Sequence, residues 1–379
     1  MGQGFPRATT ILVALAAATV AAFGIGAIRG ILAPTLLTLI LTICANPVRI
    51  RLLKRGVSGG IATGSVILVV FGLLAGFTYT VVIAFAQFVE MLPTYSTQFA
   101  QIGANIGSWL KSLGFGTDQV QQIVETMDPQ NITAVITDAL GSVVSITGAL
   151  VIVLTMMILM AADAVYARAV FGQLSEHEPD LVIAMTHYAS NVRRYMLVTT
   201  VLGLVQGALD AAALYLLQVP AALLWGLLAF LCSYIPNVGY FFAILPPLLF
   251  GFLVGGWPTV IVIVIVYGVI NAVIQSIIQP RVVGHAVSLS QTITFFSLLF
   301  WAIILGPVGA ILAIPLTLLA KTFFIDADPA ALWWQPALGP TAETRDLAKA
   351  ADAAAKRSRR EQRTTHKAPP TNSDREGST

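Results

Sequence analysis

Apolar residues in this chain come in long unbroken blocks, with neither the alternation of a half-buried strand nor the one-faced spacing of a soluble helix. Blocks of roughly 15 to 30 residues cover 9–28, 31–46, 57–87, 141–162 and 196–217. A helix apolar on all sides is buried in a large core or in lipid, and in lipid a helix satisfies its own backbone groups. Barrel strands would be shorter and would alternate. The pattern therefore predicts an all-α fold.

Two further blocks are interrupted. Residues 221–255 are broken by Ser233-Tyr234-Ile235-Pro236-Asn237-Val238-Gly239, and residues 291–324 by Gly306-Pro307-Val308-Gly309, with an unbroken span over 258–279 between them. Each break leaves pieces of roughly 12 to 16 residues. At about 1.5 Å per residue, a 14-residue piece crosses about two-thirds of a 30 Å hydrocarbon core. The broken blocks are thus either re-entrant hairpins or pairs of short tilted spans joined by a tight turn. Irregular backbone at membrane depth persists only where it is buried in protein or lines a wet cavity, the use transporters make of it. The chain reads as a polytopic membrane protein of about eight membrane segments.

Composition sharpens this picture. The chain is 57% hydrophobic and 10% charged, where a soluble domain is about a quarter charged. Residues 196–320 hold one Asp, one Arg and one His: Asp210, Arg281 and His285. Lys and Arg near the spans set orientation. With a cytoplasmic amino terminus and each broken block returning to its own side, Arg7, Arg49, Arg51, Lys54, Arg55, Arg168, Arg193, Arg194, Arg281 and Lys321 face the cytoplasm, and Arg29 and Lys111 face outward. Both termini are then cytoplasmic. Arg7, the apolar run after it, and Ala16 and Ala18 permit a cleaved signal peptide; the run continues past any such site, so a retained span is expected.

The expected division is a membrane transport domain over 1–325 and a cytoplasmic, disordered basic tail over 326–379. Within the first, 88–140 is an extracytoplasmic helical segment and 163–195 a cytoplasmic one of surface helices. The tail has too few large apolar residues to build a core. Its run from Lys356 to Arg363 holds five basic residues in eight and is read as a solvated positive-inside segment, with Trp333 and Trp334 as interfacial anchors. No nucleic-acid partner is expected. Cys44 and Cys232 sit in apolar segments and suggest neither a disulfide framework nor a metal site. No CxxC, HExxH or Walker loop occurs, so no metal or cofactor is expected. Asn131-Ile132-Thr133 is a glycosylation sequon, relevant only in a eukaryotic secretory pathway.

Asp210 is the outstanding candidate for chemistry. An acid within a span costs a few kcal/mol by insertion scales, so it needs a partner or a proton. Gln206 lies one turn earlier on the same face, and Gly203 and Gly207 let a neighbouring helix approach. The pattern fits either a protonatable or cation-binding site or a polar bond between helices. A second polar stripe, Asn271, Gln275 and Gln279, recurs every four residues on the span ending at Pro280. It could line a solute pathway or bond the freed backbone of the broken blocks. The GxxxG pairs Gly60/Gly64, Gly72/Gly76 and Gly251/Gly255 permit close packing within a protomer or in a homo-oligomer.

Over the carboxy-terminal half, ordered motifs accumulate: Leu224-Trp225-Gly226-Leu227-Leu228-Ala229-Phe230, then Ile235-Pro236-Asn237-Val238-Gly239, then Ile244-Leu245-Pro246-Pro247. Gln279-Pro280-Arg281-Val282-Val283-Gly284, Leu298-Leu299-Phe300-Trp301, Leu305-Gly306-Pro307-Val308-Gly309 and Ile314-Pro315-Leu316-Thr317 follow. In this order they resemble the autoinducer-2 exporter family of bacterial membrane proteins, the amino-terminal half fitting by hydropathy alone. The resemblance implies a plasma-membrane export permease without cofactor, moving a small polar solute such as the furanosyl signal autoinducer-2, with some relatives linked to sodium/proton exchange. The chain departs from the family pattern at Thr199-Thr200, where relatives often have Lys-Thr, and at Gln206-Gly207, where they have Thr-Gly. Asp210 maps to no family motif.

Three function classes compete: a secondary transporter, either an exporter that could couple to H+ or Na+ or a Na+/H+ antiporter; a channel-like pore or scaffold that passes solute without coupling; and a membrane-embedded enzyme. The enzyme reading is weakest, because one Asp, one Arg and one His spread over about 75 residues supply no catalytic pair or metal set.

Overall fold

The computed structural model describes residues 7–113, 129–236, 238–283, 289–339, 346 and 349–350. All described secondary structure is helical. The first half consists of α1 (Arg7–Ala27), α2 (Arg29–Lys54), α3 (Gly59–Met91), α4 (Ser96–Ser112), α5 (Pro129–His177) and α6 (Pro179–Leu216). The second half is α7 (Ala222–Cys232), α8 (Gly239–Asn271), a π-helical stretch Ala272–Ile278, α9 (Gln279–Val283), α10 (Gln291–Leu305), α11 (Pro307–Ile311), α12 (Ala313–Lys321) and the short α13 (Gln335–Leu338).

Arg29–Lys54, Gly59–Gln98, Pro179–Leu216 and Gly239–Ile278 are each long and apolar enough to cross a membrane; α5 adds a fifth candidate, bent by 69° between Gly148–Ala164 and Ala169–His177. Leu12–Ala27, Ala222–Cys232 and Gln291–Leu305 are shorter apolar helices. Large apolar side chains stand outward on these helices, among them Leu68, Leu73, Val201, Leu204 and Ile265. Exposed apolar area of this extent marks a surface made for lipid.

The two interrupted blocks fold back on themselves. In the first, Gly239 comes so close to the Cys232 carbonyl that no Cβ would fit, Ala229 packs with Ala243, and Trp225 stacks on Phe250 at 5.7 Å. Contacts that move outward in step from the turn at residues 233–238 define an antiparallel helical hairpin. In the second, Gly309 abuts the Trp301 carbonyl, and Ser297 Oγ donates to Ala313 O at 3.0 Å. Gly306 makes that turn with φ 72° and ψ −153°, a conformation essentially reserved for glycine.

A third reversal falls where the sequence divides the block 221–255 from the span 258–279. Gly256 adopts φ 64° and ψ −157° inside α8, and Gly251 and Gly255 lie against Ile263 and Thr259 beyond it. In a straight helix residues 251 and 263 would be about 18 Å apart, so the chain reverses here too. Pro246 and Pro247, expected with the helix breaks, sit inside α8 instead. Neighbouring helices satisfy the carbonyls that such prolines free in a membrane helix.

α6 is the central element. Its Pro179 half packs Tyr188, Val192, Tyr195 and Met196 against Ile40 of α2 and against Ile304, Leu312 and Leu316 of the second hairpin. Its Leu216 half meets the first hairpin, where Leu214, Leu224, Trp225, Phe250 and Ile263 form one cluster with Ala84 and Phe88 of α3. The crossing is close because glycines form it: a Cβ on Gly207 would stand 2.5 Å from the Gly226 carbonyl oxygen, and one on Gly203 would overlap Ser233 Oγ. By contrast nothing lies within 4 Å of such a Cβ at Gly60, Gly64, Gly72 or Gly76.

The stretch 163–195 is shared by the end of α5 and the first half of α6, which continues unbroken into the span. Lys321 Nζ meets both Asp326 carboxylate oxygens at 2.7 Å, Gln335 Nε2 donates to Asp326 at 2.9 Å, and Ser290 N donates to Leu338 O at 2.8 Å. These bonds fasten Pro329–Trp334 and α13 to the bundle. The run from Lys356 to Arg363 and residues 114–128 lie outside the described residues.

Candidate functional site

Asp210 sits in the Leu216 half of α6 and is 1% exposed. Both of its carboxyl oxygens are buried without a hydrogen-bond partner, as are the Tyr267 hydroxyl and Asn271 Oδ1. Tyr267 and Tyr240 lie within electrostatic reach of Asp210. One turn earlier on α6, Gln206, 3% exposed, accepts from Gln275 Nε2 at 3.4 Å.

The register follows from the antiparallel course of α6 and the chain beyond Gly256. Arg194 bonds Val282 O through Nε at 3.1 Å and Nη2 at 2.7 Å, Gln206 meets Gln275, and Asp210 faces Tyr267. Numbers rise along one helix as they fall along the other, which sets Asn271 level with Asp210. One carboxyl, three amides and a phenol thus lie along about two turns of the seam between α6 and the end of α8.

The local sequence explains the unusual geometry of the second element. Proline offers no backbone N–H, so Pro280 leaves the carbonyl of Ser276 without its α-helical partner. The chain answers with i→i+5 bonding over Ala272–Ile278, a π-helical turn of the sort that recurs at functional sites. Gln275 lies within it and Asn271 at its start, so the four-residue amide spacing does not lie on one regular α-helical face. Gln279 is half-buried and begins α9. Arg281 is exposed, while its neighbour Val282 is held by Arg194.

Of the remaining expected residues, Pro236 lies in the turn of the first hairpin, where Val238 N donates to Pro236 O at 2.8 Å, and Gly239 begins α8. Gly306, Pro307 and Gly309 build the turn of the second hairpin, and Pro315 lies within α12. Asn237 and Gly284 lie outside the described residues. Among the described residues no group of three or more His, Cys, Asp or Glu could hold a metal ion. Cys44 and Cys232 are both free.

Sequence reasoning missed Tyr267, which extends the amide stripe by one turn at the same four-residue spacing and could have been found by carrying the stripe backward. It also missed the turn hydroxyls: Thr200 Oγ1 and the Tyr234 hydroxyl lie 2.6 Å apart, joining the first hairpin's break to α6. In the second hairpin Trp301 Nε1 donates to Thr317 Oγ1 at 3.1 Å, and Thr317 in turn meets Ser297.

A family profile described as AI-2E family transporter matches residues 10–327. The chain belongs to that family. "Putative transport protein YhhT" of Escherichia coli is 30% identical over 82% of this chain and 89% of its own length. "AI-2 transport protein TqsA" of the same organism is 26% identical over 77% of the chain and 84% of its own length. A further relative from Haemophilus influenzae is 26% identical over 82% and 90%. The match thus takes in the amino-terminal helices that hydropathy alone had joined to the family, as well as α6 and both hairpins. This is a membrane protein of a transporter family.

Proposed function

We propose that this AI-2E family protein is a secondary transporter that exports a small polar solute across the bacterial plasma membrane, with Asp210 as the group that couples solute movement to H+ or Na+. The observation that carries the reading is the buried layer around Asp210: a carboxyl with no partner, flanked by a phenol and an amide oxygen that also have none. Each such group costs about 1–3 kcal/mol when left unsatisfied, and intramembrane acids are retained chiefly where ions or protons move. The two hairpins are re-entrant in this reading, the first with its turn against Thr200 and Gly203 of α6 and the second against the Pro179 half of that helix. Both termini face the cytoplasm, and the protein works as a homo-oligomer.

The name of TqsA gives AI-2 as that relative's cargo, which makes the furanosyl signal the first solute to test here. Cation/proton antiport is the second reading. It is favoured by the all-oxygen character of the free groups, since hard cations select oxygen ligands.

The deciding experiment loads purified protein into liposomes and follows uptake of the autoinducer-2 precursor with and without imposed proton and sodium gradients. Saturable, gradient-sensitive uptake that Asp210→Asn uncouples supports export. Ion exchange without solute uptake moves the protein to the antiporter reading. Solute flux that ignores both gradients in wild type and variant alike describes a pore and removes Asp210 from the mechanism.

A further inference from the structure

α6 carries more buried polar groups than the layer at Asp210 uses. Tyr188, Tyr195 and Thr199 are buried on the helix that also buries Gln206 and Asp210, at successive steps of seven, four, seven and four residues. Steps of four and seven keep side chains on one face of an α-helix. The Tyr188 and Tyr195 hydroxyls and Thr199 Oγ1 have no hydrogen-bond partner. Thr199 is 2% exposed and Tyr195 3%. Tyr195 and Thr199 lie close enough to interact with each other, and Tyr234 is within electrostatic reach of Tyr195. Cys44 of α2 lies beside Tyr188 and Tyr234, and Arg193, whose Nε donates to Ile43 O at 3.2 Å, lies beside Cys44.

Orphan polar atoms are uncommon in native interiors, and each needs an explanation. A file of them along one helix face calls for a common one. Buried water fits, because it settles where two to four polar groups can bond it.

The file also has a mouth. At the Pro179 end of α6, Asp180, Ala184, His187 and Asn191 line a cavity of about 280 Å³ together with Lys321 and Gln335. Asp180 and His187 are exposed, so the cavity meets the surface. Ala184 and Asn191 stand one turn before Tyr188 and Tyr195, which makes the cavity wall continuous with the file. The gap from Tyr188 to Tyr195 is about 10 Å and that from Thr199, the last hydroxyl, to Asp210 about 16 Å, since the Gln206 amide does not relay protons; at hydrogen-bond spacing these take two or three and about five waters in series.

We propose that this face of α6 is a hydrated hydroxyl file that passes protons between the cavity at Asp180 and His187 and the carboxyl of Asp210. Each hydroxyl gives its proton onward as it accepts one from the water behind it, so no intermediate group keeps a charge and Asp210 is the terminal acceptor. The destination rests on the reading of Asp210 as the coupling acid; the file rests on its own unpartnered hydroxyls.

Two measurements test it. In a background with Cys44→Ala and Cys232→Ala, Thr199→Cys and, as lipid-facing control, Val201→Cys are exposed to silver ion, a probe close to water in size. The file predicts that Thr199→Cys reacts at least tenfold faster. Equal, slow reaction overturns the proposal whatever the transport data show. In liposomes loaded with a pH-sensitive dye, Tyr195→Phe with Thr199→Val is expected to slow proton movement at least tenfold, Thr199→Ser to keep it, and Tyr215→Phe, on the exposed surface of the same helix, to leave it unchanged. Proton movement as fast in the double variant as in wild type overturns the proton role. Silver access to Thr199→Cys without proton movement even in wild type also overturns the proton role, leaving a hydrated face and, for Asp210, only coupling to Na+. Elution as a single species and an unchanged unfolding midpoint certify each variant.

Discussion

The α6–α7 crossing offers the sharpest test of the architecture around Asp210. At Gly207 an added Cβ would stand 2.5 Å from the Gly226 carbonyl oxygen and 3.2 Å from Phe230 Cβ, whereas ordinary contact begins at 3.4 Å. Gly207→Ala must therefore open the crossing by about 0.9 Å, against backbone that has no rotamer to yield. Overpacking of this kind costs about 1–3 kcal/mol, and a backbone contact sits at the upper end. Replacing glycine by alanine in a helix returns about 1 kcal/mol, leaving a net loss of about 2 kcal/mol. The displaced helix also carries Gln206, whose 3.4 Å bond to Gln275 is already long, so the layer at Asp210 loses its cross-link. The assay is reversible unfolding in mixed micelles on addition of dodecyl sulfate, with Gly76→Ala as control because nothing approaches that site within 4 Å. If Gly207→Ala unfolds at the control's midpoint, the close crossing is not a feature of the protein and the register argued for Asp210 fails with it.

Three further outcomes are expected. Gly306→Ala forces a side chain into φ 72° with open space around it, so its cost is backbone strain alone, about 1–3 kcal/mol; Gly30→Ala, equally open but with no φ in that region, should cost nothing in the same unfolding assay. Trp225→Ala removes a ring that stacks on Phe250 and meets Phe88 edge-on at 5.1 Å. Lipid is as apolar as the core, so what is lost is packing and the bond from Trp225 Nε1 to Pro220 O at 2.9 Å, and the expected destabilisation is about 2 kcal/mol, below the 3–5 of a water-soluble core; a midpoint equal to that of Trp257→Ala, whose ring is exposed, would contradict it. Asp326→Ala frees Lys321 and Gln335 together, so amide hydrogen exchange over 327–338 should quicken while that of α6 stays unchanged.

The sequence disclosed the apolar elements because lipid imposes a simple requirement on them. Every backbone group must be satisfied within its own segment, so length and hydropathy are enough to find α2, α3, α5 and α6, and Pro236, Gly239, Gly306 and Pro307 mark where two helices turn. The boundary between 221–255 and 258–279 was legible too, marked by Gly255, Gly256 and Pro258, and Gly256 makes the turn there through its dihedral angles. The π-helical stretch was hidden: Pro280 announces a break, but the departure from α-helix lies upstream, in residues 272–278. Tyr267 was overlooked because a tyrosine in an apolar span is ordinarily core, and only its hydroxyl, buried without a partner, distinguishes it.

That last point bears on why Asp210 is where it is. If its role were to bond two helices together, the nearest donors should close on it, and the chain has them within one turn in Gln206 and on the facing helix in Tyr267, Asn271 and Gln275. Instead the two glutamines bond each other, and Asp210, Tyr267 and Asn271 each keep a polar atom unpartnered. Meanwhile Gly203 and Gly207 draw α7 tightly against the same stretch of helix, so the layer is not slack for want of packing. A helix-to-helix bond predicts saturation of these groups, whereas a site that must take up and release a proton or a cation requires free acceptors in its resting state. The free groups around Asp210 fit the second kind, the role proposed for it.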